Sequence, residues 1–245
     1  MYDIAIIGAG VIGTFIAREL SRYKLDIALI EKDNDVSNGT TKANSGIIHA
    51  GYDAVPGTLK AKLNALGNPM FDKACEELDV PLKKIGSLVI ASNKEEMKTV
   101  RELYQRGIQN GIPDMEIIDQ IRVKELEPNI NDAVVGALHS KTCKIIGPFE
   151  LAIALAENAV ENGTELLLNS IVTSIDKLDD GYRIHMNDKS LDTKYVINCA
   201  GVYADEINNM VASTSFKITP RRGQYLILDK SVGKLINSVI FQCPT

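Results

Sequence analysis

The chain has 245 residues, 45% of them hydrophobic and 24% charged, with a formal net charge of −5. This is an ordinary composition for a soluble globular protein with a sizeable core. The acidic balance and the lack of a basic cluster exclude a nucleic-acid binder, and no apolar stretch is long enough to span a membrane.

The first stretch, Asp3 to Glu31, reads DIAIIGAGVIGTFIARELSRYKLDIALIE. Ile4 to Ile7 is too short and too β-branched for a helix and reads as a strand. Gly8, Gly10 and Gly13 follow in G-x-G-x-x-G spacing and lead into a helical pattern with Ile12, Phe15, Ile16 and Leu20 on one face. A second apolar run, Ile27 to Ile30, ends in Glu31. The whole is a βαβ unit. Gly8 permits the tight turn, Gly10 lets backbone approach a pyrophosphate, and Gly13 allows close helix–strand packing. The helix start offers unpaired N–H groups to phosphate, and Glu31 can accept from a ribose diol. A 2′-phosphate would be repelled by Glu31, which disfavours NADP, whereas FAD and NAD both stay open from this stretch.

After Glu31 the polar segment KDNDVSNGTTKANSG reads as a loop of the kind that carries binding groups on a rigid scaffold. From Thr58 a helical pattern places Leu59, Leu63, Leu66, Met70, Ala74 and Leu78 on one face, with Pro69 expected to kink or divide it. Residues 82–92 read as a strand pair or a bent strand, and Lys94 to Gln109 as a charged amphipathic helix. A short strand and a short helix stopped by Pro128 come next, then a strand over Val134 to Ser140. Pro148 opens another helix that Gly163 can terminate. Strands are expected at 165–168 and 171–175, with an antiparallel excursion at 182–186 and 191–194. The run YVIN at 195–198 then meets Cys199-Ala200-Gly201 and a helical VYADEINNMV. A last antiparallel stretch is expected over 218–229, ITPRRGQYLILD, and an apolar strand-like run closes the sequence. Cys75, Cys143, Cys199 and Cys243 are scattered, with neither C-x-x-C pairing nor metal-ligand spacing. With a first strand that leaves no room for a signal peptide, they imply reduced thiols, a cytoplasmic protein and no metal site.

Four motifs in order, IIGAGVIG…LIEK, TTKANSGIIHAGYD, INCAGVYADEI and PRRGQYLIL, resemble the FAD-dependent oxidoreductases of the D-amino-acid oxidase superfamily. The similarity is greatest to its glycerol-3-phosphate dehydrogenase and L-2-hydroxyglutarate dehydrogenase-like members. The second turn, at Gly201, comes after an inserted domain, as in flavoproteins whose chain returns to complete the dinucleotide sheet. The resemblance implies a mixed α/β (α+β) fold: a Rossmann-like FAD-binding domain of glutathione-reductase type, with an inserted antiparallel-sheet substrate domain. It places residues 1–81 and 146–215 in the first and 82–145 and 216–245 in the second. Relatives continue past this end with a strand and a glycine-rich loop, so the chain is expected to be C-terminally truncated.

By the same resemblance Gly8, Gly10 and Gly13 meet the FAD pyrophosphate, Glu31 the adenosine ribose, and Lys32 the adenine side. Thr40, Thr41, Asn44 and Ser45 run along the phosphates and ribityl chain, Val172 meets the adenine through its backbone, and Ala200 and Gly201 line the pyrophosphate opposite. His49, in S-G-x-x-H-x-G, lies near the flavin ring, as a general base, as a hydrogen-bonding neighbour of the ring, or as a point of covalent attachment. Its ordinary pKa suits proton transfer near neutrality. Arg222, beside Arg221, can pair with a substrate phosphate or carboxylate in a forked geometry, and Tyr225 can face the ring.

The expected activity is oxidation of a small anionic 2-hydroxy compound by hydride transfer to flavin N5. Glycerol 3-phosphate is preferred and 2-hydroxyglutarate is next. Electrons would pass to a partner protein or a quinone, the latter with peripheral membrane association. The alternatives are an amine or amino-acid oxidase of the same superfamily, and a catalytically incompetent dinucleotide-binding fragment. An NAD dehydrogenase is the third reading, opposed by the distant turn at Gly201.

Overall fold

The computed structural model describes residues 1–187 and 189–244. Its elements begin with β1 (Tyr2–Ile7), α1 (Val11–Leu20), β2 (Ile27–Ile30), β3 (Ile47–Ile48), α2 (Leu59–Glu77), β4 (Leu82–Lys83), β5 (Ser87–Ala91) and α3 (Lys94–Gln109). There follow β6 (Met115–Asp119), α4 (Gln120–Leu126), β7 (Gly136–Ser140), β8 (Lys144–Ile146), α5 (Pro148–Glu161) and β9 (Glu165–Leu167). The last are β10 (Val172–Leu178), β11 (Gly181–Met186), β12 (Lys189–Asn198), α6 (Ala204–Asn209) and β13 (Val239–Gln242). Contacts divide the chain into two units, residues 1–45 with 147–223, and 46–146 with 224–245.

The first unit is built on a six-stranded sheet in the order β10-β11-β12-β1-β2-β9. β12, β1, β2 and β9 run parallel, whereas β10, β11 and the start of β12 form an antiparallel excursion. The expected strands at 191–194 and 195–198 are one ten-residue strand. Its early residues pair with β11 and its later ones with β1, through Ile4↔Tyr195 to Ile7↔Asn198. Both sheet faces are apolar and covered, as parallel strands require. Ala5, Ile7, Ala28 and Ile30 face a cluster with Ile184 and Ile207, and Ile6, Ile27 and Leu29 face Ala17, Ala156 and Ala159.

α1 buries part of the face its hydrophobic pattern predicts, with Ile16 and Leu20 packed half-buried against the core. Gly13, Thr14, Ala17 and Arg18 are buried, whereas Ile12 is exposed. Close approach to β1 admits only small residues there, and Arg18 is accommodated because its Nε donates to Asn158 Oδ1 of α5 at 3.1 Å.

The second unit holds a four-stranded sheet, β13-β5-β7-β6, and a small sheet, β3-β8-β4. The larger is antiparallel except that β13 lies parallel to β5. α3 packs Val100 and Leu103 against Val89, Ala91 and Leu138, and α4 packs Val123 against Leu88 and Ala137. α3 keeps its expected limits because Asn93 Oδ1 accepts from the Glu96 N–H and the Glu96 carboxylate accepts from the Ser92 N–H, a reciprocal cap.

Residues 46–81 group with this second unit, not with the dinucleotide unit as the motif order implied. β3 and β4 both pair with β8, and α2 is tied to the same strand: Lys144 Nζ donates to the Asn68 carbonyl at 2.9 Å and meets Asp72 at 2.8 Å. α2 also runs through Pro69 undivided, and only the C-terminal part of its predicted core face is buried, at Ala74. Leu59, Leu63, Leu66 and Met70 are exposed, while Ala61, Asn68, Ala74 and Cys75 are buried.

The expected antiparallel strand at 218–229 does not form. These residues are irregular and, from Thr219 on, exposed, with Leu226 95% and Ile227 96% exposed. A strand needs a partner for its backbone groups, and no strand is paired with this stretch among the described residues. Beyond it, the buried Glu127 carboxylate accepts from the backbone N–H groups of Asn237 and Ser238 and fixes the entry to β13.

Candidate functional site

In the first unit the site grows from the β1–α1 turn. Gly8 has φ +104°, and a Cβ on it would stand 2.4 Å from the Cys199 carbonyl oxygen. A Cβ on Gly13 would stand 1.9 Å from the Gly8 carbonyl oxygen. Only glycine fits at either, and the backbone is left bare at the start of α1. Helix N–H groups with no intrahelical partner gather here, at the positive end of the helix dipole. The loop supplies one acceptor: Thr41 Oγ1 takes the Val11 N–H at 3.0 Å, beside the bare face of Gly10.

Glu31 ends β2 with its side chain buried. Its two oxygens accept from the Ala9 N–H at 2.8 Å and the Asp33 N–H at 3.0 Å. A carboxylate has about four lone-pair positions, so these bonds orient it and leave capacity for hydroxyl donors. The glycine turn and the acid are thus one hydrogen-bonded assembly. Ala200 and Gly201 follow β12 directly beside it: the Cys199 N–H donates to the Ile7 carbonyl at 2.8 Å, and the Ala200 Cα is 3.1 Å from the Gly8 Cβ position. Gly201 has φ +58° and open space around its Cα, so its turn conformation is what favours glycine there.

The remaining expected residues of this unit divide. Asn44 Nδ2 donates to the carbonyls of Thr41 at 2.7 Å and Thr40 at 3.2 Å, which holds the turn of the loop. Ser45 is exposed, at the end of the same unit. Val172 packs its side chain in the sheet core, which leaves only backbone to face a ligand. Its approach is fixed where Ser170 N–H donates to the Glu31 carbonyl at 2.9 Å. Lys32 lies with Nζ 4.1 Å from the centre of the Tyr203 ring, a cation–π contact. Tyr203 escaped the sequence reading; its signal was an aromatic residue two places after the second glycine turn.

The second unit holds His49, in the loop after β3. It borders a cavity of 420 Å³ whose polar lining includes Asp53, Lys60, Asn64 and Gln242. The His49 imidazole stacks on Phe241 with ring centres 5.7 Å apart and planes at 25°. Burial pushes its pKa below the ordinary histidine value; Asp53 opposes this and Lys60 adds to it. The shift favours the proton-accepting form of the imidazole. Asn64, Asn68 and Phe241, all in contact with His49, were not legible as site residues.

The two other expected catalytic residues are not gathered there. Tyr225, 61% exposed, is absent from the cavity lining, and Arg222 is exposed in the stretch assigned to the first unit. Among the described residues no group of three or more His, Cys, Asp or Glu is placed to hold a metal. No described helix is long and apolar enough to cross a membrane.

A pyrophosphate needs a bare, positively polarised backbone turn, and a ribose needs a fixed acceptor; the first unit supplies both, so its residues fit FAD. The family model for FAD dependent oxidoreductases (DAO) matches residues 3–245. The chain is 62% identical over 245 residues to a glycerol 3-phosphate dehydrogenase of Caloramator mitchellensis, covering all of this chain and 51% of that protein. It is 30% identical over 258 residues to the human mitochondrial L-2-hydroxyglutarate dehydrogenase, covering 99% and 55%. The solved structure of dithionite-reduced L-alpha-glycerophosphate oxidase from Mycoplasma pneumoniae, with FAD bound, superposes with a TM-score of 0.87 at 32% identity, covering 99% of this chain and 65% of that one. The chain therefore spans about half to two-thirds of the length of these relatives. A match that runs from the first strand to the last residue sets the glycine turn and its acid in their context, and this chain belongs to the DAO family of FAD-dependent oxidoreductases.

Proposed function

We propose that this chain is the dinucleotide-binding and histidine-bearing part of an FAD-linked dehydrogenase whose substrate is a small anionic 2-hydroxy compound, glycerol 3-phosphate ahead of 2-hydroxyglutarate. The observation that carries the reading is the 62% identity, along the whole chain, to a glycerol 3-phosphate dehydrogenase.

FAD, when bound, would supply the two-electron acceptor for the carbinol hydride. The chain's own residues do the rest. The N–H groups at the start of α1 hold the pyrophosphate, and Gly10 lets the backbone approach it closely, while Gly8 makes the tight turn. Glu31, oriented by two backbone N–H groups, accepts from the ribose hydroxyls. The His49 imidazole, its pKa lowered from the ordinary value, accepts the substrate hydroxyl proton on a ring nitrogen as the C–O bond becomes a carbonyl. Lys60, on the same cavity, adds positive charge for an anionic substrate.

The test is an anaerobic titration of the purified flavoprotein. Glycerol 3-phosphate is expected to bleach the flavin absorption, and L-2-hydroxyglutarate to do so slowly or not at all. Bleaching by an amino acid but by neither hydroxy compound would overturn the assignment in favour of an amino-acid oxidase.

A further inference from the structure

Asn64 and Asn68 stand four residues apart on α2, so their side chains share one face of the helix. Both aim their Nδ2 groups at one acceptor, the backbone carbonyl of His49, at 2.9 and 3.0 Å. Asn68 also donates to the Thr142 carbonyl at 3.0 Å, and its own backbone carbonyl accepts from the buried Lys144. It is itself buried, at 6% exposure. The peptide that carries His49 is therefore tied to a helix and, through that helix, to β8.

The imidazole is held separately. A loop histidine has several staggered χ1 positions open to it and a broad χ2. Phe241 stacks on one face of the ring and so selects among them. Phe241 is itself well placed: it pairs with Val89 in the β13–β5 register, and Glu127 grips the chain just before β13. Backbone and ring are thus fixed from two directions, by elements far apart in sequence.

We propose that Phe241, with Asn64 and Asn68, forms a positioning set that fixes the His49 imidazole at the cavity edge. The consequence for turnover rests on the reading of His49 as proton acceptor; the placement of the ring does not. The charged groups that act on the imidazole are Asp53 and Lys60, and replacing Phe241 alters neither. A change in His49 titration on replacing Phe241 therefore reports the lost ring contact.

The chain has three histidines, His49, His139 and His185, so histidine-labelled flavoprotein gives a readable NMR titration. In the unaltered protein, cross-relaxation between the His49 and Phe241 ring protons is expected, with an upfield His49 shift and a midpoint below the ordinary value of about 6.5. Phe241→Leu should abolish the upfield shift and move that midpoint upward, with His139 and His185 unmoved. Phe241→Tyr should restore both. No ring-to-ring cross-relaxation in the unaltered protein would overturn the proposal without any variant having to fold. A folded Phe241→Leu protein with His49 unchanged would overturn it too. In flavin reduction by glycerol 3-phosphate, the acid limb of the pH profile should follow the His49 midpoint. If the midpoint moves and the limb does not, the positioning stands and the proton-acceptor role falls.

Discussion

A methyl group on Gly13 would have to occupy space 1.9 Å from the Gly8 carbonyl oxygen. Both atoms belong to backbone, so no side chain can swing away, and α1 must move off β1. Overpacking of this kind costs about 1–3 kcal/mol. It also draws the helix N–H groups from the place a phosphate needs. Gly13→Ala is expected to lower Tm and to lose flavin on gel filtration, and a variant retaining stoichiometric flavin would remove α1 from the phosphate site. His49 carries the second prediction at this scale. Burial lowers its folded pKa below the unfolded value of about 6.5, so the folded protein binds this proton more weakly. Its contribution to stability is intact above that value and is lost as pH falls from there through the folded pKa. Flavin reduction should likewise be independent of His49 ionisation at neutral pH and decline in acid, with a midpoint below about 6.5 read by stopped-flow. An acid limb centred above the ordinary histidine value would contradict this. Gly8, Gly13 and Glu31 were legible in the sequence because their chemistry is local and their spacing is set by one βαβ unit. Thr41 was placed beside the phosphates, but its bond from the Val11 N–H was not legible, since it joins residues 30 apart.

At the scale of elements, α2 separates what pattern can decide from what packing decides. Hydrophobic spacing marked a helix correctly but assigned its core to a face of which Leu59, Leu63, Leu66 and Met70 are exposed and Ala74 is buried. The buried face is set by anchors no periodicity contains: Asn68 on two carbonyls, and Asp72 between Lys144 and Lys84. Burial works against the Asp72 charge, but the two lysines outweigh it and hold its carboxyl below the usual range. The same anchors keep the helix continuous across Pro69, where a ring sits in place of an N–H and one helix hydrogen bond is missing. Proline in a helix interior costs on the order of 3 kcal/mol, part of which returns because proline also restricts the unfolded chain. Pro69→Ala should therefore raise stability, by about 1–2 kcal/mol on that balance, measured as an increased denaturation midpoint at unchanged m-value. A lower midpoint would mean that the proline conformation is itself needed by the Asn68 contacts. α3 was legible to the residue because both its caps and its amphipathic face are local. The stretch at 218–229 had strand composition but no partner among the described residues, and composition alone cannot supply one.

At the scale of the whole molecule, the chain passes between its two units at residues 45–46, 146–147 and 223–224. The motifs located the dinucleotide unit, but the first passage was misplaced because it is decided by β3 pairing with β8, about 100 residues away. The third passage lies within the exposed, irregular stretch that carries Arg221 and Arg222. Backbone without a ladder or helix to protect it is where proteases cut first. Limited trypsin digestion of the native protein should make its earliest cut at Lys217, Arg221 or Arg222, ahead of the lysines on α2 and α3. The released end would still contain β13, which pairs along four residues with β5 and is held by Glu127 through Asn237 and Ser238. It should accordingly stay with the larger fragment on native gel filtration and separate only in denaturant. Glu127→Ala removes a buried acceptor from two backbone N–H groups, a loss of about 1–3 kcal/mol for each donor left unpaired. The nicked variant should then shed its C-terminal fragment without denaturant. Early cleavage elsewhere would contradict the first expectation, and a nicked Glu127→Ala protein that holds the fragment as firmly as before would show that β13 is retained by the sheet alone.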